Sequence, residues 1–289
     1  MKWFDYAAPQ SLPEALELLA RPGARPLAGG TDLLVQMRAG QRQAELLVDL
    51  KRIPELNELQ CDPGRGLRLG AAVPCCRIYE DAELRRRWPA LAEVAEMIGG
   101  VPIQSRASLG GNLCNAAPSA DSVPVLIVLR AACRLVGPSG ERRLPAEDFC
   151  TGPGQTVLGP GELLVGFDLP PPEAHSGAAY LRFTPRNEMD IAVAGAAAAV
   201  GLRDGVIAWA RIALAAVAPT PLLVREAGEF LSGKPANSEN LQAAAELARS
   251  AARPITDLRG TAEHRRHLVG VLTRRALEKA VARAREVRA

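Results

Sequence analysis

The sequence predicts a mixed α/β chain of the α+β class that folds as two domains. The length of 289 residues suits two domains of ordinary size. A hydrophobic fraction of 48% with 23% charged residues is typical of a folded globular protein and excludes a disordered chain. Strand and helix signals alternate early in the chain, whereas the later part predicts a β-hairpin followed by three helices.

The first fifty residues predict a β-turn-α-β unit. Ser11 and Glu14 form a capping box around Pro13, which starts a helix over 12–20. A short extended segment, a Gly-Gly turn, a second helix and a buried strand follow at 25–28, 29–30, 33–38 and 46–50.

The middle of the chain predicts a hairpin, two helices and a strand before a domain boundary. These elements are expected at 58–61 paired with 67–72, at 89–98, at 123–130 and at 163–169. The boundary is the run Pro170-Pro171-Pro172, because proline neither continues a helix nor donates to a sheet.

The second domain begins after the prolines with small-residue strands. Two such runs, 191–202 and 206–217, flank Arg203-Asp204-Gly205, and an Asp-Gly pair favours a tight hairpin turn. Helices are expected at 222–231, 238–251 and 264–285. The domain is therefore predicted to be α+β, with an antiparallel sheet.

Charge and hydropathy exclude several classes of protein. The net charge of +3 is too small for a dedicated nucleic-acid binder. Most of the basic excess lies in 263–289, which we interpret as a solvated helix face, with a phosphate- or RNA-binding tail as the alternative.

No apolar run reaches the length of a membrane span, and no signal-peptide core is found, so a cytoplasmic location is expected.

The cysteines and histidines predict no metal site. None of the six cysteines forms a Cys-x-x-Cys pair, and the adjacent Cys75 and Cys76 suit neither zinc nor an iron–sulfur cluster. We interpret the cysteines as small buried hydrophobic residues. His264 and His267 are spaced for one helix face, but no third ligand is evident.

Two glycine-rich segments are candidates for ligand binding. In the first, Gly29-Gly30 precedes Thr31 and Asp32; the second, 107–121, contains Gly110-Gly111 between a hydroxyl and an amide and ends on a carboxylate. Glycines let backbone N–H groups approach a diphosphate, and a following helix N-terminus favours the negative charge. Either segment alone suits a structural turn, and the pair leaves a dinucleotide site and structural turns as equal alternatives.

The same motifs resemble the FAD-binding middle subunit of the molybdenum hydroxylases, the family that includes xanthine dehydrogenase and aerobic carbon monoxide dehydrogenase. The resemblance covers essentially the whole chain. It rests on Phe-Asp-Tyr at 4–6, Ala-Gly-Gly-Thr-Asp-Leu at 28–33, Ser-Leu-Gly-Gly-Asn at 108–112, Ala-Pro-Ser-Ala-Asp at 117–121, Pro-Gly-Glu-Leu-Leu at 160–164 and Asp-Ile-Ala at 190–192.

The resemblance implies a fold and a function. The fold is a vanillyl-alcohol-oxidase-type FAD-binding domain over 1–172, in two α/β subdomains at about 1–53 and 54–172, followed by a C-terminal domain over 173–289 of the carbon monoxide dehydrogenase flavoprotein type. The chain would accept electrons from [2Fe-2S] clusters on a small partner subunit and pass them to NAD+, a quinone or another acceptor. The substrate would be oxidised at a molybdopterin cofactor on a large partner, in a dimer of heterotrimers.

The resemblance also implies which residues contact FAD. The segment 27–33 would wrap the diphosphate and adenosine. Residues in the segment 107–112 would contact the diphosphate and flavin, and Asp121 would contact the ribitol or ribose hydroxyls. Leu164 would contact a ring, and Arg182 would lie near the polar edge of the isoalloxazine. The alternative for Arg182 is that it is a solvated strand residue without a role in FAD binding. The full predicted set is Leu27, Ala28, Gly29, Gly30, Thr31, Asp32, Leu33, Ala107, Ser108, Gly110, Gly111, Asn112, Cys114, Asp121, Leu164, Arg182 and Ile191.

Two further functional expectations follow. Relatives that oxidise carbon monoxide resemble one another in carrying tyrosine at the position of Ile191, so isoleucine disfavours that substrate. No catalytic acid or base is expected on this chain, because the cofactor carries the redox chemistry. The alternatives are a self-contained FAD-dependent oxidase or dehydrogenase of the same fold, for which no His or carboxylate pair is found, and an assembly subunit that has lost FAD, which the intact loops disfavour.

Overall fold

The first β-sheet along the described chain belongs to a small α/β unit. The computed structural model describes residues 2–286, so the predicted domain ends at 1 and 289 lie outside it. The sheet is parallel with the order β1-β3-β2. Ser11 Oγ accepts from Glu14 N, which is one half of the predicted capping box, whereas the Glu14 carboxylate accepts from Gln10 N rather than from Ser11 N. The elements are β1 (Asp5–Ala7), α1 (Leu12–Leu19), β2 (Ala24–Leu27), α2 (Leu33–Arg38) and β3 (Leu46–Asp49).

The second sheet is antiparallel with the order β4-β5-β10-β6-β7. Its strands are β4 (Leu59–Asp62), β5 (Gly66–Gly70), β6 (Ala132–Gly137), β7 (Gly140–Pro145) and β10 (Leu163–Leu169), with β8 (Cys150–Gly152) and β9 (Gln155–Thr156) forming a separate ribbon. The helices are α3 (Cys75–Glu80), α4 (Ala82–Arg87), α5 (Pro89–Met97), α6 (Val101–Gln104), α7 (Leu109–Asn115) and α8 (Ser122–Val128). The predicted strand at 163–169 is present.

The third sheet is antiparallel, and helices cover one of its faces. Its strands, in order, are β11 (Ser176–Phe183), β12 (Ala194–Arg203), β13 (Val206–Ala215) and β14 (Leu222–Leu223), and the helices are α9 (Arg225–Leu231), α10 (Ser238–Ala251) and α11 (Ala262–Glu286). The predicted hairpin at Asp204-Gly205 is confirmed, and both residues have positive φ, as a type I′ turn requires. Helix α11 packs closely on β11, because a Cβ at Gly177 would lie 2.3 Å from Ala280 O.

Polar contacts join the third sheet and its helices to the part of the chain that carries the second sheet. Arg211 Nη2 donates to Glu147 Oε1 at 2.8 Å. Lys279 Nζ donates to Glu93 Oε2 at 3.1 Å, and Arg283 pairs with the other oxygen of Glu93. One apolar core also contains buried residues from both regions, among them Leu126 of α8 and Tyr180 of β11, so the second and third sheets and their helices pack together.

The basic C-terminal segment differs in part from its predicted solvated face. Arg275 is exposed, as expected, but Arg265 is only 4% exposed and Arg283 lies against Glu93. The expectation is therefore wrong for Arg265 and Arg283, whose guanidinium groups bind partners inside the chain. Within residues 2–286, no helix is both long and apolar enough to cross a bilayer.

Candidate functional site

A cavity of about 220 Å³ lies between the β2–α2 segment and the part of the chain that carries α7 and β10, and it is partly open to solvent. The turn between β2 and α2 forms one wall, and the start of α7 forms another. Apolar side chains complete the lining, among them Leu56 and Leu164. The structure therefore brings both predicted glycine segments to a single site.

The first glycine pair gives the β2–α2 turn its shape. Gly30 has a φ of +75°, which residues with a side chain rarely adopt. Gly29 lies directly against the segment that precedes α7, because a Cβ there would be only 2.0 Å from Arg106 O. Lys51 Nζ supports the same turn by donating to Ala28 O at 3.2 Å. The two glycine segments thus depend on each other for their position.

The second glycine pair lies in the first turn of α7, and the two glycines have different surroundings. Ser108 caps the helix, since its Oγ accepts from Gly111 N at 3.0 Å. A Cβ at Gly110 would lie 2.3 Å from Ala71 O, so this glycine is required for packing. A Cβ at Gly111 would meet only Ser108 Oγ, at 3.2 Å. Gly111 therefore leaves space in the cavity beside a helix N-terminus, where backbone N–H groups favour an anion.

Three amide side chains of α2 and α7 lie at the cavity. Gln36 Nε2 donates to Asn115 Oδ1 at 2.9 Å, joining the two helices across the cavity. Asn112 Oδ1 accepts from Ser122 Oγ at 2.6 Å, so its carboxamide oxygen is held by the protein. The amide nitrogen of Asn112 is consequently the end that is oriented as a donor.

Two titratable groups in the cavity are affected by burial. Burial raises the pKa of the Asp32 carboxyl above its usual value. Burial also raises the pKa of the Cys114 thiol to about 12, so this side chain is a neutral thiol at physiological pH. Across the described part of the chain, no three His, Cys, Asp or Glu side chains come together as a potential metal site.

All but four of the predicted cofactor residues line the cavity; the exceptions are Leu27, Asp121, Arg182 and Ile191. Asp121 lies instead at the start of α8 beside β11, where Oδ1 accepts from Tyr180 OH at 2.6 Å and Oδ2 pairs with Arg182. Burial raises the pKa of Asp121, and the neighbouring Arg182 opposes this effect. Ile191 is 48% exposed on the loop before β12. The cofactor roles of all the predicted residues, inside and outside the cavity lining, remain predictions.

Several lining residues were missed by motif reasoning. Gln36 follows Asp32 by one helical turn, so helical spacing could have identified it. The others come from separate parts of the chain, and only the fold brings them to the cavity. The missed set is Arg25, Pro26, Gln36, Arg42, Leu50, Leu56, Ala71, Ala72, Ile98, Asn115 and Leu163.

The cavity fits FAD in its chemistry. The open space over Gly111 and the start of α7 suit a diphosphate, and the carboxylate of Asp32 and the hydroxyl of Thr31 suit sugar or base polar groups. Ala71, Ala72 and Leu164 offer apolar contacts for a ring system. When bound, FAD would supply the redox chemistry, and these residues would bind and orient it.

Glu162 stabilises the turn that leads into Leu163 and Leu164 at the cavity. Its carboxylate accepts from Arg142 Nε and Nη2 and from Gly159 N, each at 2.7 Å. The Arg142 hydrogen bonds and the Gly159 N–H lower the pKa of Glu162 from 4.5 to about 2. The ionised form of Glu162 is therefore favoured by folding.

We expect Glu162→Gln to lower the free energy of unfolding by about 1 kcal/mol at pH 7, a modest value because Arg142 is partly exposed. A carboxylate with a depressed folded pKa contributes stability above its unfolded pKa and loses it as the pH falls, here between 4.5 and about 2. The cost of the substitution should accordingly shrink in acid. Urea unfolding of both proteins at pH 7 and pH 3.5 measures it, and an equal cost at both values would contradict this account.

Two family profiles match consecutive parts of the chain. The profile described as the FAD binding domain in molybdopterin dehydrogenase matches residues 2–172. The profile described as the CO dehydrogenase flavoprotein C-terminal domain matches residues 179–280.

Similar proteins cover nearly the full chain. A xanthine dehydrogenase FAD-binding subunit of Escherichia coli O157:H7 is 35% identical, covering 97% of this chain and 98% of the relative. The carbon monoxide dehydrogenase medium chain of Afipia carboxidovorans is 36% identical, covering 98% of each. The caffeine dehydrogenase subunit beta of Pseudomonas sp. strain CBB1 is 34% identical, covering 97% of this chain and 95% of the relative.

Solved structures agree with these relatives. Carbon monoxide dehydrogenase from Hydrogenophaga pseudoflava has a chain that matches with a TM-score of 0.93 at 35% identity, covering 98% of both chains. Quinoline 2-oxidoreductase from Pseudomonas putida 86 matches with a TM-score of 0.91 at 33% identity, covering 98% of this chain and 99% of that one. The predicted family and fold class are therefore confirmed: the chain belongs to the FAD-binding medium subunits of the molybdenum hydroxylases, the oxidoreductase family of xanthine and carbon monoxide dehydrogenases.

Proposed function

We propose that this chain transfers electrons between subunits and does not itself oxidise an organic substrate. It would accept electrons from [2Fe-2S] clusters on a small partner subunit and pass them to NAD+, a quinone or another acceptor. A large partner with a molybdopterin cofactor would oxidise the substrate. The lining of the cavity carries this proposal: among its described residues the only carboxylate is that of Asp32, and there is no histidine.

The self-contained flavin oxidase is the competing function. Such an enzyme needs an acid or base placed over the flavin to move the substrate proton. Asp32 cannot supply a pair of such groups, and Cys114 is held as a neutral thiol. The names of two relatives, a medium chain and a subunit beta, also support a multi-subunit complex.

In the proposed complex, this chain's residues bind and orient FAD. The Gly29-Gly30 turn and the start of α7 would hold the diphosphate, and Asn112 would donate through its amide. Arg182 would affect the flavin from outside the cavity lining, with its charge partly balanced by Asp121. A cation near the ring favours the reduced, anionic form. Ile191 and Leu27 would act as apolar neighbours.

The assembly we propose is a dimer of heterotrimers that works in the cytoplasm. Single electrons must reach FAD from a cluster on another chain, so the flavin edge must lie near a subunit interface. The six cysteines are free thiols, which suits a reducing compartment.

Purification of the tagged chain from its native host tests the function directly. We expect two further subunits that carry iron and molybdenum, and FAD on this chain. The same chain produced alone should contain FAD but show negligible turnover of aldehydes or N-heterocycles. Efficient oxidation by the isolated chain, or a monomer that never associates with an iron–sulfur protein, would overturn the proposal.

A further inference from the structure

A buried arginine at the start of α11 has contacts that a core position does not explain. Arg265 is 4% exposed. Its Nη1 donates to Val193 O at 2.7 Å and to Ala216 O at 3.2 Å, and its Nη2 donates to Asp257 Oδ1 at 2.6 Å. Burying a guanidinium is costly unless its donors are matched, and here two of its acceptors are main-chain carbonyls outside regular strands.

The carbonyl of Ala216 connects Arg265 to the turn after α7. Ala216 has a φ of +64°, an unusual conformation for a residue with a side chain. Its N–H donates to Pro118 O at 2.7 Å. Pro118 belongs to the turn that follows Asn115, the last residue of α7 and part of the cavity lining. Arg265 thereby supports the C-terminal end of the helix whose start forms one cavity wall.

The carbonyl of Val193 connects Arg265 to a loop at another side of the cavity. Val193 N donates to Phe183 O at 2.9 Å, which closes the loop 184–192. Met189, within this loop, packs on Gly100: a Cβ at Gly100 would lie 3.3 Å from Met189 Cγ. Gly100 is two residues from Ile98, which lines the cavity. A single guanidinium thus fixes two segments that reach the cavity from different directions.

We propose that Arg265 is a positioning residue for FAD, acting through Ala216 on the turn after α7 and through Val193 on the loop 184–192. Asp257 orients the guanidinium so that its other nitrogen meets both carbonyls. The inference rests on the FAD cavity proposed above. It assigns to the C-terminal domain a part in cofactor affinity, although Arg265 itself does not line the cavity.

The test measures FAD affinity and the visible circular dichroism of bound flavin in the full chain. Arg265→Met keeps the length of the stem and removes all three hydrogen bonds, and we expect its FAD dissociation constant to rise about tenfold, with an altered flavin dichroism. Arg265→Lys keeps the charge but not the fork, so it should restore affinity only in part. Should Arg265→Met not fold, Asp257→Asn gives the same measurement, with a smaller change of the same sign.

The matched control is Leu272→Ala, two helical turns along the same helix. Leu272 is 7% exposed and packs in the C-terminal core, so this variant destabilises α11 without touching the two carbonyls. We expect its FAD affinity and flavin dichroism to match those of the wild type. Equal losses in the control and the Arg265 variants would show a merely structural role and overturn the inference. A wild-type chain without FAD would instead refute the cavity assignment.

Discussion

Gly111→Val is expected to abolish FAD binding while the chain remains folded. The added Cβ meets only Ser108 Oγ, at 3.2 Å, and because Gly111 lines the cavity, a valine side chain should occupy space beside the first turn of α7. Valine has a better helix propensity than glycine, and the 3.2 Å contact requires only a small shift of the Ser108 hydroxyl, so the chain should remain folded. The obstruction of close backbone approach should raise the FAD dissociation constant by at least about a hundredfold, equivalent to about 2.7 kcal/mol.

The neighbouring Gly110→Val is the matched control for this prediction. Its Cβ would lie 2.3 Å from Ala71 O, so the main effect of this substitution should be a lower free energy of unfolding. Flavin absorbance and far-ultraviolet circular dichroism of the purified variants distinguish the two results. Full FAD occupancy in Gly111→Val would refute the assigned site. Gly30→Val should also lose FAD, but its φ of +75° adds backbone strain and makes it the less selective variant.

Asp121→Ala is expected to lower the free energy of unfolding by about 3–5 kcal/mol, because it leaves a buried partner charge uncompensated. The side chain of Arg182 is 11% exposed, and the hydroxyl of the fully buried Tyr180 would lose its acceptor as well. Both partners belong to β11, so the loss falls on the contact between the domains. Urea unfolding at pH 7 measures the change.

Two comparisons isolate the ion pair. Arg274→Ala removes a more exposed pair with Glu278 and should cost less than about 0.5 kcal/mol. Adding Arg182→Met to Asp121→Ala should recover part of the loss, since no unpaired charge is then buried. An Asp121→Ala protein as stable as the wild type would mean that the pair has no structural role.

Local signals made much of the fold and site predictable from the sequence. Short motifs predict local structure at Ser11, at the Asp204-Gly205 turn and at the two glycine pairs, because each motif spans only a few residues. The hairpin of β6 and β7 was missed because β7 is an exposed, charged strand without apolar alternation. Helices α3 and α4 were missed because six residues are too few to display a helical period.

The partners of Asp121 show why part of the site could not be predicted. Tyr180 and Arg182 are 59 and 61 residues away along the chain, and only the packing of β11 on the first domain brings them to this carboxylate. In the sequence, Arg265 and Arg275 likewise belong to the same basic segment, and nothing local distinguishes a buried arginine from an exposed one. Their burial differs because they occupy different faces of α11, which depends on the position of the sheet beneath it.

The ion pairs across the domain boundary have a consequence for recombining this chain with its relatives. Glu93 and Glu147 precede the three prolines in the chain, while Lys279, Arg283 and Arg211 follow them. A chimera that joins this first domain to the C-terminal half of a relative would retain the acidic groups and could lose the bases that neutralise them. Viable hybrids must therefore inherit these positions as a set, and a crossover at the three prolines separates residues that have to be exchanged together.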